Sequence, residues 1–283
     1  MSNRNEYLTS YPEVNAVLDE LVPEVQSILA NQFIGMYVYG SLAAGGFDRD
    51  SDVDYVVVSA GELPEALITK LQAMHTRIAT IDSWCATQLE GSYIPMQALL
   101  VFDPLHALHL HIDRGRGEQL KRMQIDDDRL SRAWWGGWVL LRAALREKGI
   151  TLAGPAPTTL IDPVSPADLK QANLAILHGW AEQILEQPSL MKDRGYQSYI
   201  VLTLCRILYT LEFGSTASKP VAAHWAQGTL GLPWVDLIER AWIGRHNPEE
   251  ELSQSDVNGT LDFIRYTLEH SRQLGMAAIV ELK

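Results

Sequence analysis

The run Tyr39-Gly40-Ser41-Leu42-Ala43-Ala44-Gly45-Gly46, followed by Ser51-Asp52-Val53-Asp54, constrains this 283-residue chain more than any other segment. Phe33 to Tyr39 is short, apolar and rich in strand formers, and Gly40 ends it. Tyr55-Val56-Val57-Val58 reads as a second, buried strand with the Asp pair at its start. Gly45 and Gly46 permit the positive φ that a turn between two such elements needs. Residues i and i+2 of a strand share a face, so Asp52 and Asp54 project together beside Gly40 and Ser41. Two hard carboxylates on one face suit Mg²⁺, which takes a few carboxylates together with substrate phosphate oxygens. A Gly-Ser turn at a helix start offers backbone N–H groups and a hydroxyl to an anion. The pattern describes a site for a metal-bound nucleoside triphosphate. Either half alone is a common loop motif; the signal lies in having both, in order, each against an apolar strand.

Composition excludes more than it selects. Apolar residues make up 47% of the chain, enough for a sizeable core, and the length allows two ordinary domains. No apolar run reaches the length of a membrane span, and the polar start MSNRNEYLTS lacks the apolar centre of a signal peptide. Cys85 and Cys205 have no metal-ligand spacing and suggest no disulfide framework, so a cytoplasmic setting is expected. The net charge of −12 argues against a nonspecific nucleic-acid surface and agrees with a small cationic partner.

Along the chain, residues 11–31 show helical apolar spacing, with Pro23 as a point of interruption or restart. Residues 63–80 read as a second amphipathic helix, and 86–94 and 106–113 as strands. After about residue 128 the strand signal nearly vanishes. A long helical pattern follows, then the proline-rich stretch 154–166, then helices over 167–186, 196–213, 219–229, 233–243 and 255–278. Ser165-Pro166-Ala167-Asp168 reads as a capped helix start. The expected fold is α+β: a mixed sheet with flanking helices in residues 1–153, then an α-helical bundle in 154–283, with a cleft between them.

The pattern Gly40-Ser41, ten residues, Asp52-x-Asp54 resembles the nucleotidyltransferase superfamily with the DNA polymerase beta-like fold. The wider stretch YGSLAAGGFDRDSDVDYVVV resembles the aminoglycoside adenylyltransferases of the streptomycin/spectinomycin type. The block from Leu202 to Thr210 (LTLCRILYT) and that from Ala217 to Ala226 (ASKPVAAHWA) resemble the helical C-terminal domain of the same enzymes. The resemblance implies transfer of AMP from ATP to a hydroxyl of an aminoglycoside or aminocyclitol, with two Mg²⁺ ions and a link to antibiotic resistance. Asp52 and Asp54 are the expected metal ligands, and Gly40 with Ser41 the expected phosphate contact. Glu90, on a strand predicted beside the Asp strand, is the third carboxylate; the resemblance makes it a metal neighbour and the base that takes the hydroxyl proton.

The resemblance places Arg206 and Lys219 over the triphosphate and Trp242 near the base. Read from the residues alone, Arg206 pairs with a carboxylate such as Glu212, Lys219 is solvated, and Trp242 belongs to a core. His109, His111 and Asp113 alternate on one strand face, next to the Glu90 strand, where they could line an acceptor pocket or simply meet solvent. The acceptor half departs from the family pattern. Lys192 and Tyr196 stand where the family carries acids before the LTLxR helix, with Asp193 a substitute only if the loop shifts, and His109 to Gly115 holds no Trp. Two other readings stay open: a nucleotidyltransferase acting on a protein or RNA end, and a catalytically silent nucleotide-binding module.

Overall fold

In this computed structural model the described residues are 9–100, 109–123 and 128–281, with side chains outside 128–135 and 274–281. They divide into two units, one within residues 1–125 and 141–163, the other within 126–140 and 164–283. The cut expected after residue 153 is single, whereas the units exchange a segment around residues 126–140.

In the first unit, Val14, Val17, Leu18, Leu21 and Val25 bury one face of helix α1 (Pro12–Leu29), which runs through Pro23 without a break. Strand β1 (Phe33–Val38) leads into the one-turn helix α2 (Gly40–Ala43), and strand β2 (Val53–Ser59) follows. Helix α3 (Glu65–Ile78) precedes strand β3 (Leu89–Pro95) and the short helix α4 (Met96–Leu100). Residues 84–87 form a 3₁₀ turn, so the strand expected from residue 86 starts at Leu89. Strand β4 (His109–Ile112) falls inside the segment expected as 106–113, of which 106–108 lie outside the described residues.

Strand β5 (Lys121–Met123), helix α5 (Asp128–Lys148) and strand β6 (Ile150–Ala153) come next. The sheet order is β5-β4-β3-β2-β1-β6. β2 and β3 are parallel, and the other neighbours are antiparallel. The sheet is therefore mixed, as expected for an α+β fold.

Alternation along β2, β3 and β4 separates two faces of the sheet. Val53, Tyr55, Val57, Tyr93 and Leu110 join the buried cluster that contains the apolar stripes of α1 and α3. Asp54, Glu90, Ser92 and His111 lie on the other face. Two glycines make this arrangement possible. A Cβ on Gly91 would stand 1.9 Å from the Tyr55 ring, its register partner on β2. Gly40 has φ +66°, and a Cβ there would stand 1.9 Å from Asp54 Oδ2.

The second unit is helical: α6 (Pro166–Ile176), a π-helical turn (Leu177–Ala181), α7 (Glu182–Glu186), α8 (Arg194–Phe213), α9 (Lys219–Leu230), α10 (Trp234–Arg245) and α11 (Gln254–Glu281). Ser165 caps α6, accepting from the Asp168 N–H, while the Asp168 carboxylate accepts from the Ser165 N–H in return. Gly214, at φ +65°, ends α8 in the left-handed conformation that glycine adopts at least cost. Ile200, Val201, Leu204, Cys205 and Leu208 of α8 pack with Ile238, Phe263 and Ile264 in a core of their own. Among the described residues, no helix is long and apolar enough to cross a membrane.

Candidate active site

The site grows from the turn that joins α2 to β2. Tyr39 adopts an extended conformation and donates its N–H to the Asp54 carbonyl at 3.0 Å, which fixes the β1 exit against β2. The Ala44 N–H donates to the Gly40 carbonyl and the Gly46 N–H to the Ser41 carbonyl, both at 3.0 Å. The next turn ties itself off: the Ser51 hydroxyl donates to Asp48 Oδ1 at 2.8 Å, and the Asp48 N–H donates to Ser51 Oγ at 3.1 Å. Tyr11 anchors this loop, its hydroxyl donating to the Phe47 carbonyl at 3.0 Å and its ring meeting Phe47 edge-on. Asp52 thus arrives from a braced turn, one step before β2.

Parallel register then sets Asp54 directly beside Glu90. Asp52 lies one residue ahead of β2, and the side chains of Asp52 and Glu90 are each 32% exposed. The Tyr39 phenol registers all three. Its pKa is held well above the ordinary value, by burial first and then by the charges of Asp54, Glu90 and Asp52. Sequence reading treated Tyr39 as a strand end and gave no hint of this role.

The donor set fits a divalent cation. Asp54 of β2 and Glu90 of β3 are register partners, and Asp52 stands just ahead of β2. Their oxygens do not all lie within 4.8 Å of one another, but Asp52 already attracts a cation: the Arg114 guanidinium pairs with it, with Gln88 Oε1 a further contact at 3.4 Å. Arg114 lies in the turn after β4, where Gly115 (φ +138°) bonds back to the Thr87 carbonyl at 2.9 Å. An arginine in an exposed glycine-rich turn carries no periodic signal, and the sequence reading missed it.

Residues 18–112 match the family described as nucleotidyltransferase domain, and residues 159–270 match the aminoglycoside adenylyltransferase C-terminal domain. The chain thus carries, in this order, a nucleotidyltransferase domain and a match to the C-terminal domain of aminoglycoside adenylyltransferases. It is similar to a spectinomycin 9-adenylyltransferase of Staphylococcus aureus, 25% identical over 87% of this chain and 92% of that one. It is similar as well to an aminoglycoside (3'') (9) adenylyltransferase of Escherichia coli, 28% identical over 90% and 93%. A solved spectinomycin adenyltransferase from Enterococcus faecialis, crystallised with ATP and spectinomycin, shares the fold at TM-score 0.63 and 17% identity, covering 91% of this chain and 98% of its own.

In the first unit Asp54 lies against Gly40 and beside Glu90, Asp52 precedes β2 by one residue, and Ser41 follows Gly40 on α2. Beside Glu90, on the neighbouring strand, His111 lies opposite Ser92. The Ser92 hydroxyl and His111 Nδ1 are 3.0 Å apart, and His111 Nε2 is 3.2 Å from Asp113 Oδ1 and 3.9 Å from Glu90 Oε1. Burial lowers the His111 pKa and Asp113 offsets part of that. The Asp113 carboxyl is held below its usual range, first by its bond to Lys121. His111 is half-buried and hydrogen-bonded, and Asp113 beside it is the more exposed.

The remaining expected residues lie on the second unit. Arg206 is exposed on α8, and its Nε donates to the Ala217 carbonyl at 3.1 Å. Glu212 is exposed as well, so neither residue enters the core. Lys219 opens α9 with its ammonium 5.8 Å from the Tyr199 ring, and Tyr199 and Arg206 share a face of α8 at seven-residue spacing. Trp242 is half-buried on α10, edge-on to His246 and beneath the Arg245 guanidinium. Asp193 caps α8, accepting the Tyr196 N–H at 2.7 Å. Tyr196 stacks on Tyr199 with ring centres 5.9 Å apart and accepts from Trp180 Nε1, so aromatic side chains stand at and beside a position where the family pattern has an acid.

Gly40→Ala tests how tightly the turn is bound to the acids. The left-handed backbone alone makes alanine cost about 1–2 kcal/mol. The added methyl also forces Asp54 out of its place. Transfer activity is expected to fall about 100-fold or more, since misplacement by about 1 Å already costs that much. Thermal denaturation should show a folded protein with a modestly lowered midpoint.

Proposed function

We propose that this chain is a Mg²⁺-dependent adenylyltransferase that moves AMP from ATP to a hydroxyl of a small cationic aminocyclitol or aminoglycoside. The observation that carries this reading is the register of β2 and β3, which sets Asp54 beside Glu90, with Asp52 one residue ahead of β2 and the charges of all three felt by Tyr39. Those three carboxylates would hold one or two ions. Bound Mg²⁺ supplies charge neutralisation on the phosphates and a template for in-line displacement.

The chain's own residues supply the rest. Glu90 takes the proton from the acceptor hydroxyl. The freed oxygen bonds to the α-phosphorus as the bond to the bridging oxygen breaks, and pyrophosphate leaves. Ser41, through its hydroxyl and the N–H groups at the start of α2, binds a phosphate. On the family resemblance, Arg206 and Lys219 are the phosphate-binding cations of the second unit and Trp242 its ring for a base. The relatives' names support ATP as donor and an aminocyclitol as acceptor. The charge of −12 supports a cationic acceptor over a polyanionic one.

Purified protein, Mg²⁺ and α-labelled ATP incubated with spectinomycin, streptomycin and other aminoglycosides should label at least one drug and release pyrophosphate. Failure to label any, with label entering lysate proteins or RNA instead, overturns the acceptor assignment.

A further inference from the structure

We propose that His111 is a positioning residue for Glu90, fixed in turn by the Ser92 hydroxyl. The inference rests on the reading of Glu90 as the base that takes the acceptor's proton. Ser92 and Glu90 are two residues apart on β3 and share a face, and antiparallel register sets His111 opposite Ser92. Ser92 is buried, so its hydroxyl needs a partner, and it finds His111 Nδ1 at 3.0 Å. With Nδ1 accepting that hydroxyl proton, the imidazole carries its own proton on Nε2. The Nε2–H then faces two carboxylates, Asp113 at 3.2 Å and Glu90 at 3.9 Å.

This arrangement has two consequences for Glu90. The N–H places a partial positive charge between carboxylates that would otherwise repel each other across adjacent strands. The arrangement also packs the imidazole against Glu90 from the β4 side, with Nε2 3.9 Å from Oε1, a charge contact longer than a hydrogen bond. Asp113 is itself paired with Lys121, so the imidazole is held from both ends. A general base acts only within hydrogen-bond reach of the proton it takes, and a rotation of the Glu90 side chain would remove it from that reach.

The test compares His111→Ala, His111→Gln, Ser92→Ala and the double variant Ser92→Ala/His111→Ala. His111→Ala should lower kcat for AMP transfer by about 10- to 100-fold, the usual cost of losing a group that orients a reacting ligand. The KM for ATP should stay within about twofold, since nothing in the proposal places His111 on the nucleotide. His111→Gln, which returns an N–H near the Nε2 position, should recover most of the loss. Ser92→Ala should show a smaller loss, and it should add nothing in the His111→Ala background, the signature of two residues acting through one.

A second readout needs no turnover: nitrogen-15 shifts of the apoprotein should show His111 as the Nε2–H tautomer, redistributed in Ser92→Ala. Unchanged kcat in His111→Ala, losses that add in the double variant, or the Nδ1–H tautomer would each overturn the proposal. A wild-type protein that labels no acceptor removes the underlying functional reading as well, whereas an active wild type with an equally active His111→Ala removes only this one.

Discussion

Asp54→Asn is expected to lower AMP transfer about 1,000-fold while leaving the fold as stable as before or slightly more so. Asparagine matches aspartate in shape, so the contact with Gly40 survives. What disappears is one negative charge of the three felt by Tyr39. Without a cation those charges repel one another, and Arg114 offsets only part of that through Asp52. Removing one charge therefore relieves strain in the ion-free protein. With the nucleotide bound, the same removal deletes a cation ligand, and the expected loss in kcat is about 1,000-fold, comparable to losing a principal electrostatic group of other active sites. Urea denaturation and a labelled-ATP assay on the same preparation read the two effects. Added Mg²⁺ and a non-hydrolysable ATP analogue should raise the midpoint of the wild type and leave that of Asp54→Asn nearly unmoved. A variant that retains wild-type transfer, or that simply unfolds, contradicts this account of Asp54.

Acid should destabilise the protein through one buried histidine behind the same sheet. His75, on α3, is 5% exposed, with Nε2 2.7 Å from the Tyr93 hydroxyl and 3.2 Å from that of Tyr55. Both partners are neutral phenols, so nothing in the trio favours the imidazolium, and burial lowers the His75 pKa from 6.5 to about 4. The folded pKa lies below the unfolded one, so the unfolded chain binds more protons in that window. Stability from this group is whole above pH 6.5 and is lost as the pH falls towards 4. The linkage relation puts the loss at about 3 kcal/mol by pH 4. His75→Phe removes the titration but also takes a hydrogen-bond partner from two buried hydroxyls, so it should be the less stable protein at pH 7. The gap between the two proteins should narrow by about 3 kcal/mol between pH 7 and pH 4 in urea titrations. Parallel stability curves would show that His75 does not titrate as its burial requires.

How much of this was legible in the chain depended on the range of the signal. Asp52 and Asp54 could be placed at the start of a strand because the apolar run behind them is a local signal, and Gly40 marked the end of β1 because glycine alone tolerates that backbone. The helices of the second unit announced themselves by apolar period and by the Ser165 cap. The strands β5 and β6 did not, because three or four residues with little apolar pattern become strands only through partners far along the chain. His75 was hidden for a different reason. It sits on the buried face of an amphipathic helix, and nothing local says that two tyrosines from separate strands will meet it. Tyr39 and Arg114 owe their place to long-range pairing in the same way. The Asp193 cap shows the limit of counting along a family pattern, since a carboxylate near the expected position is already accepting a backbone N–H.

The acidic face of β2 and β3 should grip a divalent cation together with a triphosphate. Crystals grown with Mn²⁺ and a non-hydrolysable ATP analogue, measured at the manganese edge, address this directly. The predicted result is an anomalous peak about 2 Å from carboxylate oxygens of Asp52 and Asp54, bridging to phosphate oxygens of the analogue, with Glu90 beside it. Manganese bound elsewhere, with those three carboxylates meeting only water and Arg114 while the nucleotide is in place, would contradict it.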